Sequence, residues 1–477
     1  MSGLFTIADI LSATGGMPVG AIGRPAVDAA ACVASVVVDS RQVQQGSLFV
    51  ALRGERTDGH LFLLQAAQAG AACLLVSRAQ AAARAAELAE LCARAACRAV
   101  AVDDTLAALQ QLARVHMRRL PPLTRIGVTG SNGKTTTKEI IGRILCLAAA
   151  TAVNEGNLNS EIGLPLACFA VRDIHRFAVF EMGMNHPGEM DVLADIVRPD
   201  LALVTNVGTA HIGLLGSREA IVREKKGIFS RFDGRQTGFL NEEERFFDLL
   251  SEGVKGRIVR FGPRSTEGYE GSESLGLDGT LIRWEGSRIR FPLFGPHNLA
   301  NALGAIAVAR ACGASAADIR SGLEAVAPLF GRSQILRSEA TILVDCYNAN
   351  PDSMESAIAF VEALPWKGRK VAVLGSMREL GEEAEQAHRA LGRRAAGARF
   401  DRVFLFGDEL EGAALEQAAS PGGRVAWFTD ACVLGEAVRA AVRPGDLVLV
   451  KGSRGVALER ILPQLTTLAG ERKAACS

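Results

Sequence analysis

Gly130-Ser131-Asn132-Gly133-Lys134-Thr135-Thr136 sets two glycines, a lysine and a pair of hydroxyls between the strand-like run TRIGVT and the helix-like run KTTTKEIIGRILCLA. In such a strand–loop–helix context the glycines let backbone amides turn toward phosphate oxygens. Lys134 brings a point charge to the β/γ phosphates, the helix start adds its dipole, and Thr135 offers a hydroxyl to Mg²⁺. The expected ligand is a nucleoside triphosphate. An ordinary glycine-rich turn would not need Lys-Thr-Thr at that place. Val128 stands where the general phosphate-loop pattern GxxxxGK[ST] carries its first glycine, so ordinary GTPases and kinases are poor matches.

Other side chains with chemical capacity are less specific by themselves. Glu181 ends the apolar run FAVFE, at the strand end where active sites of parallel sheets collect; alone, a carboxylate there is as often a cap. His211 follows LALVTNVG, and Lys225 sits in REKKG, which by composition is an exposed charged helix face. His297, Asn298 and Asn301 open a helix and read equally as caps. Asn348 and Asn350 fall in a strand-end loop, as nucleotide or substrate contacts or as ordinary turn-forming residues. Ser40 and Arg41 follow an early strand, a weak signal alone.

The elements that must position these residues fall into three groups. Residues 35–52 read as two short strands around a polar turn, and AACLLVS and RAVAVDD add strands; a helical pattern from Thr105 to about Arg119 then stops at Pro121-Pro122, which lack amide donors. The phosphate loop opens a second module. Its runs FAVFEMG and LALVTNVG are almost wholly apolar, as parallel strands buried on both faces require. The glycine- and serine-rich stretch 262–280 reads as surface loop, and 299–313 as a helix closed by Gly313. From Gly331 onward strand and helix alternate regularly, which predicts an open doubly wound sheet of Rossmann type, without the GxGxxG of dinucleotide binding. The expected fold class is therefore α/β with three domains: residues 1–120, a small α/β module; 121–330, a phosphate-loop parallel-sheet domain; and 331–477, a Rossmann-like domain.

Composition limits what the chain can do. The 477 residues carry 53 basic and 52 acidic side chains, a formal charge of +1, so no global field draws it onto nucleic acid or an anionic membrane. The N-terminus lacks a basic region before its apolar stretch, and no apolar run approaches membrane-spanning length. A cytoplasmic protein without membrane insertion is expected. The ten cysteines are scattered singly and read as reduced, buried small hydrophobes.

VTGSNGKTTTKEI resembles the ATP loop of the Mur ligases, the enzymes that extend the peptide of the cell-wall precursor. VNEGNLNSEIGLPL (153–166), FEMGMNHPGEM (180–190), TNVGTAHIGLLGSREAIVREKKGIF (205–229) and FGPHNLANALGA (294–305) resemble the family's central-domain blocks in order. In the third domain GRSQ, VDCYNANPDSMESA, LGSMRELGEEAEQAH and VKGSRG resemble the D-alanyl-D-alanine-adding member in particular. The resemblance implies an ATP- and Mg²⁺-dependent amide ligase acting on UDP-N-acetylmuramoyl-tripeptide and D-alanyl-D-alanine through an acyl phosphate. It implies that Lys134, Glu181, His211, Lys225 and Arg332 are catalytic, that Thr135, Glu181, His211 and Lys225 serve the metal, and that Lys225 is carbamoylated. His297, Asn298 and Asn301 would lie on the adenine side, Arg332 and Asp345 would close over ATP, and Ser40, Arg41, Asn157, Asn159, Asn348 and Asn350 would contact substrate. The chain is expected to act as a monomer. Within the family the rival is the ligase that adds the third amino acid, whose Asp-Asn-Pro-Arg motif is missing here. Folylpolyglutamate synthase shares the ATP loop but not the first domain, and a nucleotide-driven switch or motor would need no such third domain.

Overall fold

The structure, a computed structural model, describes residues 3–19, 32–54, 57–418 and 424–466. Short apolar runs become strands of three successive α/β sheets. In the first, β1 (Phe5–Thr6) and β3 (Cys32–Val33) form a small antiparallel pair, while β2 (Met17–Pro18), β4 (Ser35–Val37), β5 (Ser47–Val50), β6 (Cys73–Ser77) and β7 (Arg98–Val102) form one sheet in the order β2-β7-β6-β5-β4. Residues 35–52 do contain two strands, but β4 and β5 run parallel, linked through a single 3₁₀ turn that Asp39 caps. The helix Thr105–Arg119 closes this part, capped by Asp104 and ending before the two prolines.

The second sheet contains β8 (Thr124–Thr129), β9 (Thr151–Val153), β10 (Phe177–Glu181), β11 (Leu201–Val204), β12 (Thr237–Asn241) and β13 (Arg257–Phe261), all parallel, in the order β13-β12-β11-β8-β10-β9. The helix Lys134–Ala148 packs Ile140, Ile141, Ile144 and Leu145 against Ile126, Val128 and Val179 of the sheet. Each such buried side chain contributes roughly 1.5–3 kcal/mol. Beyond it β14 (Tyr269–Ser274), β15 (Thr280–Trp284) and β16 (Ser287–Phe291) make an antiparallel sheet. The stretch expected as surface loop is turn over 262–268 but then contains β14 and reaches the start of β15. Its glycines and serines mask the alternation, and Gly271, at φ +128°, marks an irregular register that a β-bulge produces.

The third sheet is built from β17 (Gln334–Arg337), β18 (Thr341–Asp345), β19 (Lys370–Gly375), β20 (Arg402–Phe406), β21 (Val425–Phe428) and β22 (Leu447–Lys451), ordered β17-β18-β22-β19-β20-β21. It is doubly wound as expected, with one addition: β17 is an antiparallel edge strand. Three rings, Phe5, His116 and Phe169, join the first part to the second; the second meets the third through stacked Phe294 and Phe360 and an Arg337–Asp278 ion pair. Among the described residues eight cysteines are free thiols. No helix among the described residues is long and apolar enough to cross a membrane.

Candidate active site

In the second sheet the chain order reverses around β8, with β10 on one side and β11 on the other. The crevice at the C-terminal ends of these strands is where open α/β sheets bind ligands. The loop 130–133 leaves β8 there. Its shape is held by the β11 side: the Ser131 amide donates to the Asn206 carbonyl at 2.9 Å, the Asn132 amide to Asn206 Oδ1 at 3.0 Å, and Thr205 Oγ1 to the Asn132 carbonyl at 2.6 Å. Two loop amides are thus already occupied. The donors left for an anion are those of the first turn of helix Lys134–Ala148, whose N-terminus no side chain caps. Gly133 starts that helix at φ +81°, and a Cβ there would strike the Asn301 amide, so the close approach requires glycine.

Lys134 folds back over the loop and donates to the Gly130 carbonyl at 2.9 Å. Burial lowers its pKa; the Glu181 charge draws it back up, Arg332 depresses it further and Glu379 raises it. Glu181, only 2% exposed, accepts from Thr135 Oγ1 at 2.6 Å and from Asn159 Nδ2 at 2.7 Å. Behind it, buried Asn154 accepts the Glu181 amide and donates to its carbonyl, and buried Lys138 donates to the Asn154 carbonyl at 2.7 Å. A carboxylate and a hydroxyl presented together are hard oxygen donors of the kind Mg²⁺ takes. Among the described residues no three His, Cys, Asp or Glu side chains converge as a complete metal cage. Mg²⁺ usually takes one or two protein carboxylates and completes its shell with phosphate oxygens and water.

Lys225 corrects the reading of REKKG as a solvated face: its side chain is 2% exposed. Its neighbours explain the orientation. Glu224 caps the helix Glu189–Val197 through the amides of Gly188 and Met190, and Lys226 donates to the Leu249 carbonyl at 2.8 Å, leaving Lys225 to point inward. Burial pushes the Lys225 amine well below the usual lysine range, the charge of Lys134 pushes the same way, and Glu224 opposes them. His211, at φ +66°, has Nδ1 2.7 Å from Glu379 Oε2, an ion-pair distance.

Above the phosphate loop a cavity of about 330 Å³ separates the second and third sheets. Asn132, Gly133, Thr136, His297, Asn298, Asn301, Arg332, Asp345 and Asn348 all line it. Leu293, Val326 and the stacked Phe294 and Phe360 supply an apolar wall, suited to a flat heterocycle. Asn298 donates to the Phe294 carbonyl, which fixes the helix start rather than leaving a free amide. The Arg332 guanidinium lies 4.0 Å from the Tyr347 ring centre. Asp345 accepts from the Ser333 amide and pairs at 2.6 Å with Lys451, a buried cavity-lining residue that sequence reading placed in a block but gave no role.

Several expected contacts are not gathered there. Ser40 is satisfied internally by Gln65 at 2.9 Å, and Arg41, 81% exposed, is tied to Asp39 in the first sheet's own turn. Asn157 is exposed on a turn, while its neighbour Asn159 reaches Glu181. Asn350 is a helix cap, a role that neither sequence reading gave it, and its Nδ2 also donates to Asn132 Oδ1 of the phosphate loop at 2.9 Å. Asn206, Asp352 and Glu379 had no individual signal in the sequence, because what singles them out is a partner distant in the chain.

Comparison with known proteins agrees with this geometry. Residues 33–117 match the Mur ligase family catalytic domain, 128–309 the Mur ligase middle domain, and 331–454 the Mur ligase, glutamate ligase domain. The UDP-N-acetylmuramoyl-tripeptide--D-alanyl-D-alanine ligase of Treponema pallidum is 43% identical over 90% of this chain and 93% of its own length. A crystal structure of MurF from Acinetobacter baumannii superposes with a TM-score of 0.85 at 31% identity, covering 97% of this chain and 98% of that one. MurF ligase from Thermotoga maritima in complex with ADP superposes with a TM-score of 0.77 at 27% identity, covering 91% and 97%. Matched domain by domain in the same order, the protein belongs to the Mur ligase family.

Proposed function

We propose that this protein is the ATP-dependent ligase that joins D-alanyl-D-alanine to UDP-N-acetylmuramoyl-tripeptide, giving the UDP-linked pentapeptide, ADP and phosphate. One observation carries the reading to these residues: Thr135 and Glu181 meet at 2.6 Å beside Lys134, at the uncapped helix start that forms the floor of the cavity between the sheets. The name and overlap of the Treponema relative supply the substrates.

In the proposed reaction a carboxylate oxygen of the tripeptide attacks the γ-phosphorus of ATP and ADP leaves, forming an acyl phosphate. The amine of D-alanyl-D-alanine then attacks the acyl carbon, the C–O bond to phosphate breaks, and the amine loses a proton as the amide forms. Lys134 and the first-turn amides offset the charge that builds on the transferring group, by positioning and electrostatics. Mg²⁺, when bound at Thr135 and Glu181, supplies further neutralisation of phosphate charge. Asn159 keeps the Glu181 carboxylate aimed. Arg332, steadied on Tyr347, adds a cation from the third sheet. The cavity wall around His297, Asn298 and Asn301 takes the adenine, and Asp345 with Lys451 the adjoining sugar.

A buried amine whose pKa is depressed beside a cation is suited to capture CO₂, and a carbamate on Lys225 would place an anion where a lysine cation would oppose the metal. We accordingly assign Lys225 as carbamoylated and His211 to the metal. Residues 1–120 are assigned to the UDP-linked substrate, 121–330 to ATP and 331–477 to the dipeptide and domain closure, in a cytoplasmic monomer. The test is product identity: protein incubated with ATP, Mg²⁺, D-alanyl-D-alanine and UDP-muramoyl-tripeptide should yield the pentapeptide by mass. Addition of a single amino acid to a UDP-muramoyl-dipeptide instead would assign the rival activity.

A further inference from the structure

Glu379 follows β19 in the third sheet and reaches back to the loop after β11 in the second. Its carboxylate stands 2.7 Å from His211 Nδ1, a buried nitrogen with no hydrogen-bond partner among the described residues. The main chains also meet: the Gly213 amide donates to the Glu379 carbonyl at 3.1 Å. At Gly213 and Gly381 the backbones pack so closely that a Cβ on either would strike the other. Both members of the pair, His211 at φ +66° and Glu379 at φ +64°, hold the left-handed conformation that non-glycine residues rarely adopt. Such strain persists only where surrounding contacts over-determine it, and it clusters at functional sites.

We propose that Glu379 is a positioning residue for phosphoryl transfer, its carboxylate fixing the His211 imidazole beside the phosphate loop only when the second and third sheets stand face to face. The proposal rests on the ligase reading. Closure would then do more than cover the nucleotide: it would deliver the group that orients a histidine of the opposite domain. What separates the Glu379–His211 contact from simple docking is its place: it joins the loop after β11 whose Gly208 amide bonds Ser131 of the phosphate loop, whereas the Arg337–Asp278 pair joins the same two sheets away from the site.

The test compares Glu379→Ala, Glu379→Gln, His211→Ala, the Glu379→Ala/His211→Ala double variant and Arg337→Ala in the full chain. Turnover, KM for ATP, thermal midpoint and equilibrium binding of ADP with Mg²⁺ are measured for each. Groups that orient a site residue typically matter by roughly 10–100-fold. The expected result is a kcat loss of that size for Glu379→Ala with ADP binding and thermal midpoint unchanged. A smaller loss is expected for Glu379→Gln, which keeps an oxygen beside the ring without the charge, and a double variant no slower than His211→Ala. Wild-type turnover in Glu379→Ala, additive losses in the double variant, or an equal loss in Arg337→Ala would overturn the proposal. A wild-type protein that does not ligate would instead remove the reading beneath it.

Discussion

One carboxylate oxygen of Asp352 accepts both the backbone amide and the hydroxyl of Thr209, each at 2.8 Å, across the boundary between the second and third sheets. Thr209 follows Gly208, whose amide donates to Ser131 Oγ in the phosphate loop at 2.8 Å, and Asn350 bonds Asn132 from the same helix start. The first turn of helix Pro351–Ala363 is thereby wired to the loop that would hold the phosphates.

Asp352→Ala removes both bonds, and a hydrogen bond to a charged group is worth roughly 1.5–3 kcal/mol. Turnover is expected to fall about 10-fold or more while ADP binding changes less, because the loss falls on the closed arrangement. Steady-state kinetics with small-angle scattering of the nucleotide-bound protein check this. Normal turnover would show that the clamp does not limit closure.

Lys134→Ala should lower ligation by roughly 10²–10³-fold, the usual loss when one preorganised donor to a developing charge is removed. The measurement is kcat at saturating substrates. Its burial and its bond to the Gly130 carbonyl mean that loop geometry must be checked alongside, by the thermal midpoint.

Lys225→Ala and Lys226→Ala separate an inward from an outward lysine on one helix. The first should be severely impaired and partly restored by small carboxylic acids that occupy the vacated anionic position; the second loses only a bond to the Leu249 carbonyl and should stay active. Mass spectrometry of wild-type protein under bicarbonate should show the carbamate. Equal activity of the two variants would remove Lys225 from the chemistry.

The parts legible in sequence were those written in local spacing. The helix Lys134–Ala148 begins and ends where its glycine, lysine and apolar face indicate, and Glu181 stands at a strand end as its apolar run requires. Thr209 and Asp352 lie 143 residues apart, and neither has a periodicity or motif that names the other. Glu379 was hidden in the same way. Lys225 shows a subtler limit: composition of REKKG suggests a solvated face and only the family resemblance singles it out, whereas the bonds made by Glu224 and Lys226 give the physical reason it turns inward. β14 escaped because glycine and serine carry no alternation, and β17 because it is a short edge strand.

His116 should make stability depend on pH. Burial lowers its pKa from about 6.5 against the opposing pull of the Val171 carbonyl, which accepts from Nε2 at 2.9 Å, so the folded state takes up a proton less readily than the unfolded chain. The unfolded chain protonates first as pH falls through about 6.5, so stability is fully present above that value and is lost on acidification until the folded pKa is passed. His388, also depressed by burial, acts in the same direction. His116→Gln, which keeps a donor without titrating, should shrink the drop in thermal midpoint between pH 7 and pH 5. An unchanged drop would assign the acid sensitivity elsewhere.

The most direct measurement is phosphate release by the purified protein given ATP, Mg²⁺ and UDP-N-acetylmuramoyl-tripeptide, with and without D-alanyl-D-alanine. The ligase reading predicts sustained release only with the dipeptide, one phosphate for each pentapeptide formed. Sustained release that needs neither the dipeptide nor the UDP-linked peptide would contradict it and mark the chain as a nucleotide-driven switch or motor.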